Sequence, residues 1–305
     1  MRPMRKHQYM NDIQPAVREL LPLGVMTSLD HHSPLEALTQ VREMGFPTCQ
    51  LGNPPAEYIA GPRSAELTAE LRAAVRETGI HITAVFIMFP GHVWDLVDGP
   101  RTIGLVPTDT RAERVVHACR MSDWAREAGI SEVATHIGFI PEDPNDPTYL
   151  PFLRMMRAYC GFVKDNGQTF AFETGQETAL TLKRTIEDIG MDNVGVNLDP
   201  ANLLLYGKDQ PLNAVELIGK YVVNTHCKDG SWPISFGLMG EEKPLGAGEV
   251  NFPALITRLY GIGYRGPLTI EREIEGDQQV ADITRAKELL EEIRAGLVTN
   301  VVVAQ

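Results

Sequence analysis

Between Gln168 and Glu271, four short apolar runs each stop on a side chain able to bind a metal ion. Gln168-Thr-Phe-Ala-Phe-Glu173 and Val194-Gly-Val-Asn-Leu-Asp199 end on carboxylates. Tyr221-Val-Val-Asn-Thr-His226 ends on an imidazole, and Pro267-Leu-Thr-Ile-Glu271 on a third carboxylate. Successive side chains on a strand point to opposite faces. One face of each run is therefore bulky or β-branched: Phe170 with Phe172, Val194 with Val196 and Leu198, Val223 with Thr225, Leu268 with Ile270. The other face is small or polar (Ala171, Gly195, Asn197, Asn224, Thr269) and finishes on the candidate ligand. Strands covered by helices on one side and curled around an enclosed interior on the other have this pattern.

The rest of the chain fits the same architecture. Further strands are predicted at 23–27, 46–51, 80–88 and 132–136. Helices are predicted at 33–44, 64–78, 110–128, 149–164, 177–189, 212–220, 251–260 and 279–295. Ser33 and Pro34 supply a cap and a first helical residue. Gly45, Gly79, Gly129, Gly190 and Gly263 follow predicted helices, where a left-handed residue ends the turn. Eight strands alternating with eight helices predict one (β/α)₈ TIM barrel over 22–297. Residues 1–21 read as an N-terminal extension, with room for a short helix over 12–20, and the apolar 298–305 as a C-terminal tail without a partner. A doubly wound sheet fits less well, because no Gly-rich phosphate turn follows the first strand.

Net charge narrows the partners. At −12, the chain opposes nonspecific attraction to nucleic acid or to anionic membranes. No apolar run is long enough to span a bilayer. Cys49, Cys119, Cys160 and Cys227 show neither paired nor metal-motif spacing, so reduced thiols and a cytoplasmic location are expected. The apolar tail leaves a homo-oligomer open.

In a barrel, the C-terminal strand ends meet around one pocket. Glu173, Asp199, His226 and Glu271 should therefore converge. Three adjacent carboxylates repel unless a cation neutralises them. Three oxygens and one nitrogen suit one divalent ion: Mn²⁺, Mg²⁺, Co²⁺ or Zn²⁺. The alternative is that each is satisfied separately by loop amides. Around them, His136 ends the fourth strand and is a candidate for substrate binding, as are Gln176, Asn202, Lys228 and Trp232. Three of these have a plainer reading: a hydrogen-bonded core histidine for His136, a helix cap for Asn202, a solvated loop lysine for Lys228. Glu177 reads as a pocket residue or a helix N-terminal acid, Asp229 as an orienting group or a turn, and Arg272 with Glu273 as an ion pair. The Gly- and Pro-rich 89–108, with His92 and Trp94, has the length of a lid and, with Trp232, Phe236 and Met239, supplies an apolar rim. Gly246-Ala-Gly248 is a weak phosphate signal and reads first as a turn.

Phe172-Glu-Thr-Gly-Gln-Glu177, Asn197-Leu-Asp-Pro-Ala-Asn202, His226-Cys-Lys-Asp229, Pro244-Leu-Gly-Ala-Gly-Glu-Val-Asn-Phe252 and Glu271-Arg-Glu273 resemble the motifs of the xylose isomerase-like TIM barrels. That superfamily includes ketose 3-epimerases, inosose dehydratases, hydroxypyruvate isomerases and endonuclease IV. The resemblance implies a single divalent metal held by Glu173, Asp199, His226 and Glu271, with Glu173 and Glu271 also serving as acid and base. It implies a sugar isomerase or epimerase that abstracts a proton beside a carbonyl. A lyase or dehydratase acting on an inosose or a 3-keto-glycoside is the alternative; a nuclease and a non-catalytic sugar-binding barrel stand further off. Asn202 stands where ketose 3-epimerases carry a histidine, which argues against that subgroup and against the nuclease.

Overall fold

Buried strands alternating with helices that are apolar on one face leave few ways to cover both sides of every strand. Closing the sheet on itself inside a ring of helices is one. In the computed structural model, which describes residues 20–303 with side chains through Leu297, the chain takes that solution. Strands β1 (Leu23–Thr27), β2 (Thr48–Leu51), β3 (His81–Ile87), β4 (Glu132–His136), β5 (Thr169–Glu173), β6 (Val194–Leu198), β7 (Val222–Cys227) and β8 (Leu268–Ile270) form a closed parallel barrel. β8 closes on β1 through the pairs Leu23–Leu268 and Val25–Ile270. Outside lie α1 (Pro34–Glu43), α2 (Ser64–Thr78), α3 (Thr108–Ala128), α4 (Tyr149–Asp165), α5 (Ala179–Ile189), α6 (Pro211–Ile218), α7 (Phe252–Gly261) and α8 (Asp277–Val303). The extension expected over 1–21 lies almost wholly outside the described residues, as does any packing of the tail's side chains. The last helix runs on to Val303 instead of stopping near Ala295.

Local chemistry sets the boundaries. Ser33 accepts a hydrogen bond from the Glu36 amide (3.3 Å), and the Glu36 carboxylate accepts one from the Ser33 amide (2.8 Å), a reciprocal cap at the start of α1. Left-handed Gly79, Gly129 and Gly190 end α2, α3 and α5.

The main core lies between barrel and helices. Phe170 and Phe172 of β5 face outward and pack edge to face, with Tyr159 of α4 against Phe170 at 5.3 Å between centroids. Full burial of a side chain of this size contributes about 1.5–3 kcal/mol. A separate small cluster inside the barrel comprises Phe86, Ala134 and Ala171. Val223 packs against it, which corrects the outward orientation expected from strict alternation. The β6–β7 register slips between Val196 and Asn197, so Val222 and Asn224 are paired and Val223 is the extra residue. Gly195 makes room: a Cβ there would lie 2.7 Å from Val223 Cγ1.

Segment 89–108 contains the short helix Gly99–Thr102 and is pinned by Arg114, which donates to the carbonyls of Thr102 (2.7 Å), Gly104 (2.7 Å) and Pro90 (3.0 Å). All four cysteines are free thiols. Among the described residues, no helix is long and apolar enough to cross a membrane.

Candidate metal centre

Four adjacent strands deliver the four predicted ligands to one end of the barrel. Glu173 is the last residue of β5, and His226 is the last but one of β7. Glu271 directly follows β8. Asp199 follows β6 and caps the short helix Pro200–Leu205, its Oδ1 accepting from the Asn202 amide at 2.9 Å. One ligand atom from each of the four lies within 4.8 Å of all the others. His226 Nδ1 sits between two carboxylates, 2.9 Å from Glu173 Oε1 and 3.2 Å from Glu271 Oε2. The Lys228 ammonium is buried among three acids, 3.1 Å from Asp199 Oδ2, 3.1 Å from Glu271 Oε2 and 3.3 Å from Glu273 Oε2.

A chain of amides crossing the barrel orients the ligands. Asn197 donates through Nδ2 to Glu173 Oε2, which leaves its Oδ1 to accept from Gln50 Nε2 at 2.9 Å. Gln50 Oε1 is then turned to His226 Nε2, also at 2.9 Å. Glu173 Oε2 takes an N–H of Asn197, so the polarity of the whole chain is set at Glu173. It puts a proton on Nε2 of His226 and aims Nδ1 at the cluster. Gln50 escaped the sequence reading; its one visible signal is a lone amide inside the buried run Thr48-Cys-Gln-Leu51.

Burial raises the pKa of Glu173 and raises that of Asp199 well above its ordinary value, disfavouring their charged forms. Burial acts against the charge on His226 too, yet Glu173 and Glu271 outweigh it and hold the imidazole well above its usual pKa. For Glu271 burial again opposes ionisation, but His226 and Lys228 prevail and keep it well below the carboxylate range. Protonated His226 and Lys228 thus stand as two positive charges among the three ligand carboxylates. The residues fit a divalent ion. Asp199 Oδ2 is buried without a hydrogen bond, met only by the Lys228 ammonium, and the donor set has three hard carboxylates and one imidazole.

The other expected residues divide. His136 is buried, 3.3 Å from Gln176 Nε2 through Nδ1, with Trp94 packed edge-on at 5.0 Å; burial pushes its pKa down to about 3. Asn202 is not the helix cap, a role Asp199 takes; its Nδ2 reaches Glu173 Oε1 at 3.5 Å. Lys228 is not a solvated loop lysine. Arg272 and Glu273 do not pair with each other: Arg272 binds Glu242 and Asp282, and Glu273 meets Lys228. Glu177 is buried with neither carboxylate oxygen partnered, and burial pushes its pKa up to about 8. Trp232 packs against the main core beside Gly207, whereas Ile234 and Phe236 at the same loop's tip are 93% and 106% exposed.

The chain is similar to a xylose isomerase domain protein from Planctomyces limnophilus, with 37% identity and a TM-score of 0.85 over 92% of this chain and 100% of that one. It shares its fold with an L-ribulose 3-epimerase (18% identity, TM-score 0.69, 94% and 98% of the two chains). It is 26% identical over 182 residues to an uncharacterized protein of Methanocaldococcus jannaschii, a match spanning 56% of this chain and 58% of that relative. Residues 38–295 match the family model described as xylose isomerase-like TIM barrel, and the chain belongs to that family.

Proposed function

We propose that the chain is a divalent-metal-dependent isomerase or epimerase that moves a proton at the carbon beside a carbonyl of a keto-sugar or polyol derivative. The observation that carries this is the convergence of Glu173 and Glu271 on His226 Nδ1, at 2.9 and 3.2 Å. Glu271, with 15% of its side chain exposed, takes the proton from carbon, and Glu173 on the opposite strand of the cluster returns one. Glu173, Asp199, His226 and Glu271 would hold the metal, which when bound polarises the substrate carbonyl as a Lewis acid. Gln50 and Asn197 keep Glu173 and His226 oriented, and His136, Gln176 and Asn202 are assigned to the substrate's hydroxyls. The fold likeness to a 3-epimerase agrees with this reading.

A lyase using the same carboxylates is the second reading. Lys228, 3.1 Å from Glu271 Oε2, suits protonation of a leaving oxygen, a step that isomerisation does not need. Incubation with Mn²⁺ and ketoses, inososes or 3-keto-glycosides in D₂O separates the two. Deuterium at carbon with the oxygen count intact marks the isomerase; loss of water or aglycone marks the lyase. Neither outcome with any of these carbonyl substrates would sink the proposal.

A further inference from the structure

We propose that a polar cavity at the N-terminal mouth of the barrel binds a monovalent cation, an alkali-metal ion or an ammonium group, on the carboxylate of Glu132. The site lies at the end opposite the metal centre and does not rest on the function proposed above.

The cavity holds about 240 Å³ and is walled where strands begin: Pro22 before β1, Thr48 of β2, Thr83 of β3, Glu132 of β4, Asn224 of β7 and Pro267 before β8. That is room for an ion with part of its water shell, since one water takes about 30 Å³. Glu132 opens β4, and Ala134, two residues on, belongs to the cluster inside the barrel, so the carboxylate points inward. Glu132 is 8% exposed, and its Oε1 is buried without a hydrogen-bond partner. Among the described residues it has no ion-pair partner, and Asn224 supplies its hydrogen bond. Burial pushes its pKa up to about 8, as for a carboxylate with no counter-charge beside it.

The rest of the wall accepts more than it donates. Thr48 Oγ1 donates to the Leu23 carbonyl (3.0 Å), and Thr83 Oγ1 to that of Cys49 (3.2 Å). With both hydroxyl protons committed, only oxygen lone pairs are left for a ligand; Thr83 keeps one after accepting from Asn224. Gly24 makes room for the Thr48 hydroxyl, from which a Cβ would lie 2.6 Å. Pro22 and Pro267 bring no N–H. Arg265, at the rim, is turned to the carbonyls of Tyr260 (2.7 Å) and Tyr264 (2.8 Å) and stacks on the Tyr260 ring at 3.9 Å. His81, also at the rim, presents an acceptor nitrogen when neutral. Such a wall suits a ligand that brings positive charge and needs only acceptors. One carboxylate balances one charge, whereas a divalent ion takes several, as at the other mouth. A buried charge is costly until it is paired, so an occupied site should stabilise the barrel. β7 carries Asn224 here and His226 at the far end, so the ion braces a strand that serves the metal centre.

The test is a series of thermal melts of the whole chain, with excess Mg²⁺ throughout so that the acidic centre at the other mouth is not the variable. KCl, NaCl, ammonium chloride or methylammonium chloride replaces tetramethylammonium chloride at constant ionic strength. At about ten times its Kd, the bound ion should raise Tm saturably by about 2–4 °C. Glu132→Gln, which keeps the shape and loses the charge, should abolish the shift. K⁺ and Na⁺ acting above ammonium and methylammonium assign an alkali-metal ion; the reverse order assigns an amine. No ion-specific shift in the wild type overturns the proposal, as does an equal shift in a folded Glu132→Gln. If that variant does not fold, Thr83→Val takes its place. With one ligand oxygen gone, the ion should bind about 10-fold more weakly. Unchanged affinity there overturns the site.

Discussion

Gln50 Oε1 lies 2.9 Å from Nε2 of His226, although the two residues are 176 positions apart in the chain. Through Asn197 the same glutamine is tied to Glu173, so one amide chain orients two of the four candidate ligands. Groups that fix a ligand's tautomer and direction typically contribute 10–100-fold in metal affinity, by order of magnitude. Gln50→Leu should therefore weaken Mn²⁺ binding by about 10-fold or more while the barrel stays folded. Calorimetric titration alongside circular dichroism checks this; unchanged affinity in a folded variant contradicts the orienting role.

Metal binding should release a proton. His226 is held protonated in the metal-free protein, its pKa well above the usual value because Glu173 and Glu271 outweigh burial. An ion that takes Nδ1 must displace that proton, so apparent affinity rises with pH while pH is below this raised value. The slope should be about tenfold per pH unit for each proton displaced. Calorimetry in two buffers of different ionisation enthalpy reads the proton count directly. A pH-independent affinity with no proton release would contradict His226 as a ligand.

Lys228 supplies the second of the internal positive charges. Removing one partner of a buried ionic cluster costs about 3–5 kcal/mol, because the remaining charges are left uncompensated. Lys228→Met should accordingly lower the Tm of the metal-free protein, and added Mn²⁺ should restore more of it than in the wild type. Thermal melts with EDTA and with Mn²⁺ measure both. Equal melts for variant and wild type in EDTA would show that the ammonium does not balance the acids.

Much of this centre was legible because strand alternation is local. Glu173, Asp199, His226 and Glu271 each close a run of five or six residues, so their common direction could be read without knowing what lies opposite. Gln50 could not be read that way. Its partners Asn197 and His226 are fixed by closure of the barrel, which brings β2 across from β6 and β7. Val223 was misplaced because the register slip beside it depends on pairing with β6, not on the residues of β7 alone. Asn202 could be read as a cap as well as a pocket residue because asparagine is a good capping residue; Pro200 at the first helical position hands that role to Asp199. The Gly246-Ala-Gly248 motif pointed to an anion, but its sequence does not say that the anion is the Asp229 carboxylate, which accepts from both glycine amides.

Glu177 gives a stability prediction with a definite sign. Its pKa is raised by burial from 4.5 to about 8, so between these values the native state keeps a proton that the unfolded chain has lost. Native stability from this group therefore falls as pH rises from 4.5 to about 8, and is not further reduced above that. Glu177→Gln removes the ionisation and should stabilise the protein at alkaline pH by roughly 2–4 kcal/mol, with little effect near pH 4. Urea unfolding at both pH values checks it; stabilisation confined to the acid side would contradict the assignment.

One ion shared by four strand ends is the centre of the proposed chemistry. Mn²⁺ titration followed by the electron paramagnetic resonance of the free ion tests this directly, comparing wild type with Asp199→Asn and Glu173→Gln. One tight site per chain in the wild type, weakened by about 100-fold or more in both variants, is the expected result. No stoichiometric binding by the wild type, or undiminished binding by the variants, would contradict it.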